Sequence, residues 1–338
     1  MKARVYWLTA PRTLELQDEE FGSRPLAPHE VEAVTVYTAI SPGTELAAWS
    51  GKPPLRPSDP YPRLVGYCNL GRVARIGTDV VGIKEGDHVL THQSHRSAFR
   101  VPATEVLLVT RERADEALRS LTTTYLYHLG YAALLAGGYV PGYEVAVVGL
   151  GALGFTTASL VTALGGHPVA LTGRDGSLQG AAASGMRVAP KALPLPRDVT
   201  PPEDVGGFDL VVNTSDAWSD YFLCLEITRK GGTVVLVSFP GRGQPPSNEN
   251  PLASRLLYDK QLTVRHAGRV SELDAPAIDV RFTLKRNLRY LSALIEGGRV
   301  DPTPLVRLSA GWRDLGEVYE RLTIKQAGVY SALLEWLP

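Results

Sequence analysis

The chain has 338 residues, enough for two domains and a large core. Its 35 Lys and Arg balance 35 Asp and Glu, which argues against a nucleic acid or an acidic membrane surface as partner. The two cysteines, Cys68 and Cys224, can build neither a disulfide framework nor a cysteine-rich zinc cluster. The first residues lack the apolar core of a signal peptide, so a soluble cytoplasmic protein is expected.

Residues 1 to about 115 read mainly as strands, at 2–7, 14–16 and 30–38. In the last of these, Val31, Ala33, Val34 and Val36 give the pattern of a long half-buried strand. The run Ile40-Ser41-Pro42-Gly43-Thr44-Glu45 turns into a short helix at 45–49, and the proline-rich 51–62 is loop. Strands at 69–76 and 88–90 flank a hairpin-like turn at 82–87, with further short strands at 97–101 and 106–108. This is a compact all-β unit. Residues 114–136 are helical in composition and lead into a different pattern.

That pattern begins at Tyr143. An apolar run, 145–148, ends in Gly149-Leu150-Gly151-Ala152-Leu153-Gly154. A helix-like segment, 155–164, follows, and then a second apolar run, 168–171. The stretch is almost uncharged, but its glycines and its strand-then-helix order argue against a membrane span. G-x-G-x-x-G in this β-α-β setting points to a dinucleotide. Gly149 allows the tight turn, Gly151 lets the backbone approach a pyrophosphate, and Gly154 lets helix and strand pack closely. The phosphates would sit on the free N–H groups of the helix N-terminus, at Ala152 and Leu153 among others. Where an acidic residue would hold the ribose of NAD, the sequence has Thr172-Gly173-Arg174. Glycine leaves room for a 2′-phosphate and Arg174 offers a fork of donors, so NADP(H) is expected. The alternative is a solvated Arg174 with Asp175 on the ribose.

Beyond this point, 190–202 reads as a surface connection and 208–213 and 233–238 as buried strands. The helix between those strands is expected to end at Arg229-Lys230-Gly231-Gly232, a basic last turn followed by glycine. A helix at 252–259 and a last strand at 262–266 follow. Helices at 284–296 and 312–322 and a closing strand at 328–337 complete the chain, and no internal repeat is visible.

The order of parts resembles the medium-chain dehydrogenase/reductase superfamily over essentially the whole chain. The landmarks are 43–45, 66–71, 82–89, 149–154, 231–237 and 297–302. The resemblance implies an α/β protein, a GroES-like β domain plus an inserted Rossmann doubly wound parallel sheet. The GroES-like catalytic domain would comprise 1–120 and 268–338, and the NADP-binding domain 121–267. It also implies that Thr214 and Ser238 line the cofactor and that a homodimer forms through edge strands around 263–266. The run 40–45 with Gly66-Tyr67 is similar to a zinc-free branch that includes the bacteriochlorophyllide hydroxyethyl dehydrogenases, although that substrate is not carried over. The family's zinc enzymes place Cys where Pro42 stands, His-Glu where Tyr67-Cys68 stand, and a third ligand near Thr124 or Tyr125. Catalytic zinc needs three protein ligands, so no metal is expected. His92 and His95 then read as a loop pair that lines a cleft or faces solvent.

Without a Lewis acid, charge developing on a substrate oxygen needs a hydrogen-bond or proton donor. The resemblance implies that Tyr67 points at the reacting centre and that Thr44 touches the substrate oxygen. His95 and Tyr125 are further candidates, as are Tyr127 and His128. Glu45 is expected to be structural, paired with a basic residue near the C-terminus. The expected function is zinc-independent, NADP(H)-dependent hydride transfer at a carbonyl or secondary alcohol of a small-molecule substrate. Reduction of a polarised C=C or C=N bond and non-catalytic NADP(H) binding remain as alternatives.

Overall fold

A computed structural model of the chain describes residues 2–21, 24–55, 60–173, 186–267, 280–324 and 328–336. The chain forms two compact units, one of Met1–Tyr125 with Ser271–Pro338 and one of Leu126–Val270. Among the described residues no helix is long and apolar enough to cross a membrane.

The first unit is built on strand β3 (Glu30–Ala39). Nine of its ten residues are buried, because β3 is hydrogen-bonded to β5 (Asn69–Ile76), β7 (Ala98–Pro102) and β16 (Ala332–Glu335). The seven-stranded sheet runs β15-β16-β3-β5-β6-β8, with β7 on β3. Here β6 is His88–Thr91, β8 Leu108–Thr110 and β15 Leu308–Gly311. A smaller sheet pairs β1 (Lys2–Ala10) with β2 (Thr13–Glu20) and β4 (Arg63–Leu64). Antiparallel pairing sets Leu334 of β16 opposite Thr38 of β3, which brings the C-terminal segment against the 38–45 region.

The second unit holds one six-stranded parallel sheet. Its strands are β9 (Val145–Val148), β10 (Val169–Thr172), β11 (Arg187–Pro190), β12 (Phe208–Asn213), β13 (Thr228–Leu236) and β14 (Thr263–His266). The spatial order β11-β10-β9-β12-β13-β14 is the 3-2-1-4-5-6 order of dinucleotide-binding sheets. Central β9 and β10 are apolar runs buried on both faces, as parallel strands require.

Several elements differ from the sequence expectation. Residues 114–136 form two helices, Asp115–Thr122 and Thr124–Gly137. The hydroxyls of Thr122, Thr123 and Thr124 each donate to a carbonyl three or four residues back, at 2.8, 2.7 and 2.6 Å, and the break falls among these competing bonds. The Trp218–Ile227 helix stops before its expected basic end, because Thr228 is already extended and pairs with Phe208. Arg229 therefore lies in β13, where its Nε donates to Asp209 at 2.5 Å. Strand β11 is not expected from the sequence; its pairing with β10 is long-range and leaves little local signature.

Candidate active site

At the carboxyl ends of β9 and β12 the strand order reverses, which is where ligands of such sheets bind. The chain leaves Val148 through Gly149 at φ 98°, a conformation that suits glycine. A Cβ on Gly154 would lie 1.9 Å from the Gly149 carbonyl oxygen, so no side chain fits there without backbone movement. The Thr214 hydroxyl donates to that same carbonyl at 2.7 Å and braces the turn. Gly151 is the N-cap of the Ala152–Ala163 helix and provides no side-chain cap, and a Cβ on it would meet nothing within 4 Å. Ala152, Leu153 and Gly154 supply the first-turn N–H groups that α-helix geometry leaves without intrahelical acceptors. At the end of β12, Asn213 accepts from Ser215 N at 2.9 Å through Oδ1, while its buried Nδ2 has no partner among the described residues.

Glycine turn, uncapped helix start and orphaned amide donor together fit a dinucleotide phosphate. Ser238 donates to Ser215 O at 2.7 Å, so its hydroxyl, like that of Thr214, is a brace for the strand ends. Thr172 is buried at the end of β10, and Gly173 is exposed with open space in its Cβ direction. Arg174 and Asp175 lie outside the described residues.

In the first unit, three hydroxyls meet. Ser41 is the N-cap of the Pro42–Trp49 helix, yet its side chain makes no cap bond. Instead its Oγ accepts from the Tyr67 hydroxyl, which also approaches Thr44 Oγ1 at 3.4 Å. Thr44 is exposed. Three hydroxyls carry three protons, and their two mutual contacts use two, so one O–H is left to reach an outside acceptor. Burial pushes the Tyr67 phenol well above its ordinary pKa; Cys68 adds to this and the bonds to Ser41 and Thr44 oppose it. The group stays a neutral donor. The Tyr125 ring stands edge-on to Tyr67 at 5.6 Å and to His92 at 4.6 Å. The exposed His92 has its Nδ1 3.3 Å from the Tyr67 carbonyl oxygen.

His95 is placed differently from its expected position beside a cleft. It is 0% exposed, with Nδ1 2.8 Å from Thr38 Oγ1 and Nε2 2.8 Å from Glu45 Oε2. The backbone explains why: His95 N donates to Val65 O and Tyr6 N to His95 O, which draws the residue inward between two segments. Its ring lies so close to Gly66 that a Cβ there would be 2.7 Å from it. Trp336 Nε1 donates to Thr38 Oγ1 at 3.0 Å. With the proton of His95 on Nε2, donors and acceptors match in line from Trp336 through Thr38 and His95 to Glu45. Glu45 also accepts from Tyr319 at 2.6 Å and from the Ser41 N–H at 2.6 Å. Its C-terminal partner is thus a tyrosine and not the expected basic residue. Tyr127 and His128 are buried, at 0% and 1% exposure.

No family model matches the chain. It is 27% identical over 183 residues to the 2-desacetyl-2-hydroxyethyl bacteriochlorophyllide A dehydrogenase of Rhodobacter capsulatus. That match covers 50% of this chain and 55% of the relative, so the chain spans about half the length of the curated protein it matches. Among solved structures, L-idonate 5-dehydrogenase from Escherichia coli K-12 superposes with a TM-score of 0.79 at 17% identity, covering 99% of this chain and 98% of that one. An alcohol dehydrogenase from Escherichia coli CFT073 with NADH bound gives 0.77 at 15% identity, covering 99% of each chain.

The chain shares the fold of these two dehydrogenase structures.

The positions where the resemblance drawn from the sequence expects zinc ligands carry Pro42 and Tyr67-Cys68. Pro42 is the first residue of a helix, and Cys68 is buried with its thiol pKa pushed well up by burial. Of the two third-ligand candidates, Thr124 bonds the Leu121 carbonyl and Tyr125 packs on Tyr67. The structure therefore gathers Thr44, Tyr67 and Tyr125, and it adds Ser41 and His92. A serine before a helix proline reads as a cap, which hides the Ser41 hydroxyl from sequence reasoning.

Proposed function

We propose that the protein is a zinc-independent, NADP(H)-dependent oxidoreductase that catalyses reversible hydride transfer at a carbonyl or secondary alcohol of a small or medium organic substrate. The observation that carries this reading is the Ser41–Thr44–Tyr67 hydroxyl cluster, whose Tyr67 stands where the resemblance drawn from the sequence places a metal ligand. Among the described residues no three His, Cys, Asp or Glu side chains form a metal-binding group.

A bound nicotinamide supplies or accepts the hydride. Gly149, Gly151, Ala152, Leu153 and Gly154 would hold its pyrophosphate, with Thr172 and Gly173 beside the adenosine ribose. The open space at Gly173 supports NADP(H), as does the sequence neighbour Arg174. The outward O–H of the cluster donates to the substrate oxygen as negative charge grows there. A neutral donor set in advance stabilises that charge without reorganising. Because Tyr67 stays protonated, the cluster keeps its three protons throughout the working pH range. Strand β14 lies at one edge of the parallel sheet with all four residues exposed, which supports pairing with a second copy into a homodimer. Light scattering at the mass of one chain would count against this.

Tyr67→Phe and Thr44→Val test the reading. Each should lower kcat for ketone reduction about 10²-fold and leave the Kd of NADPH unchanged. Wild-type kcat in both variants would remove the cluster from the chemistry and favour reduction of a polarised C=C bond.

A further inference from the structure

Hydride addition to a carbonyl also consumes a proton, and the hydroxyl cluster has none to give up. Serine and threonine do not titrate near neutral pH, and burial holds the Tyr67 phenol far above it. Other titratable groups nearby are engaged or hidden. The Glu45 carboxylate already accepts from three donors. His95 is fully buried with both nitrogens paired, and the Cys68 thiol is buried. Burial raises the Tyr125 phenol as well.

His92 is different. Its Nδ1 faces a backbone carbonyl oxygen, that of Tyr67, at 3.3 Å. A carbonyl accepts and cannot donate, so Nδ1 carries the proton and the neutral ring presents a lone pair at Nε2. The Tyr125 ring, edge-on at 4.6 Å and 87°, fixes the imidazole plane, while the residue remains exposed. The carbonyl that sets its tautomer belongs to the residue whose hydroxyl joins the cluster.

We propose that His92 is the proton carrier of this site, acting through Nε2. The proposal rests on the dehydrogenase reading above and names its acid and base. In the oxidative direction the alcohol O–H bond breaks and its proton passes to Nε2. The C–H bond breaks with its electron pair leaving as hydride, and the C=O bond forms. Two electrons leave the substrate with the hydride, whose acceptor is the oxidised nicotinamide. The imidazolium then returns its proton to water. Reduction reverses each step, with the proton passing from Nε2 to the substrate oxygen.

Among the described residues, the groups facing the ring are Tyr125 from the Thr124–Gly137 helix and Tyr67 from the segment between β4 and β5. Both stay neutral, so neither adds a charge between pH 5 and 8. Desolvation lowers the His92 pKa, and the Tyr67 carbonyl opposes that in part. The neutral base therefore dominates at pH 7. Oxidation should rise with pH through a value below the ordinary imidazole range and then level off. Reduction should be flat below that value and fall about tenfold per pH unit above it.

The decisive variant is His92→Asn, whose amide can keep the donor to the Tyr67 carbonyl while removing Nε2. The expected results are a kcat/KM lower by about 10²-fold and loss of the ionisation from the pH profile. The Kd of NADPH should stay unchanged. A histidine that only supports the Tyr67 backbone would be rescued by asparagine, and retention of rate and profile would overturn the proposal. Nitrogen-15 NMR of the wild-type protein gives a second readout. A neutral His92 protonated on Nδ1 is expected, and protonation on Nε2 would overturn it. The two readings fail differently. A wild-type protein that reduces ketones with a profile unaltered in His92→Asn loses only the role of His92. One that binds no nicotinamide cofactor loses the dehydrogenase reading and this role with it.

Discussion

The buried cluster under the hydroxyls gives the sharpest stability prediction. Glu45 accepts from Ser41 N at 2.6 Å, His95 Nε2 at 2.8 Å and Tyr319 OH at 2.6 Å, and it is 3% exposed. Glu45→Ala leaves these donors buried without an acceptor. Each orphaned group costs about 1–3 kcal/mol, and partial rearrangement keeps the sum below the full total. Loss of one partner from a buried charged network costs about 3–5 kcal/mol; both routes lead to about 4 kcal/mol. For a unit of this size that lowers Tm by roughly 10 °C. Glu45→Gln keeps the volume and one acceptor oxygen, and should cost about half as much. The assay is guanidinium unfolding followed by tryptophan fluorescence. Trp49 lies 5.4 Å from the Tyr319 ring and Trp336 bonds Thr38, so native emission should also shift in Glu45→Ala. A loss below about 1 kcal/mol with unaltered emission would refute the view that this carboxylate organises the cluster.

Other expectations follow from single contacts. Gly154→Ala should weaken NADPH binding at least about tenfold and destabilise the second unit by about 1–3 kcal/mol, since its Cβ collides with Gly149 O at 1.9 Å; calorimetric titration and thermal melting check this. Gly173→Asp should fold normally, because its Cβ meets nothing within 4 Å, and should raise the Kd of NADPH more than about tenfold by repelling the 2′-phosphate; an unchanged Kd would show that the 2′-phosphate binds elsewhere. Glu30 has its pKa lowered to about 2, mainly by Arg24 and then by the Ala27 N–H. Its folded value lies below its unfolded one, so the contribution to stability is complete above about pH 5 and is lost as pH falls toward 2. Arg24→Ala should flatten the fall of the unfolding midpoint across that window, and an unchanged slope would contradict the pairing.

The parts of the fold legible in the sequence are those fixed by local physics. The glycine turn needs a positive φ at Gly149 and a close approach at Gly154, and few residues other than glycine meet either demand. The Leu284–Glu296 helix matches its expected ends because its amphipathic pattern is strong, with Thr283 capping by accepting from Arg286 N. What stayed hidden depends on contacts distant in the chain. Residues 92–95 contain two histidines of like surroundings in sequence, yet backbone bonds to Val65 and Tyr6 pull His95 into the core and leave His92 exposed. The partner of Glu45 lies 274 positions away, beyond any local pattern. The end of the Trp218–Ile227 helix was masked because Arg229-Lys230-Gly231 suits a helix terminus as well as a strand entry.

The most direct test of the whole account is hydride transfer from NADPH to a panel of small ketones, followed by loss of nicotinamide absorbance in protein treated with a strong chelator. The account predicts turnover without added metal, at least about tenfold faster with NADPH than with NADH. Turnover that appears only when zinc is restored, or none from NADPH with any ketone, would contradict it.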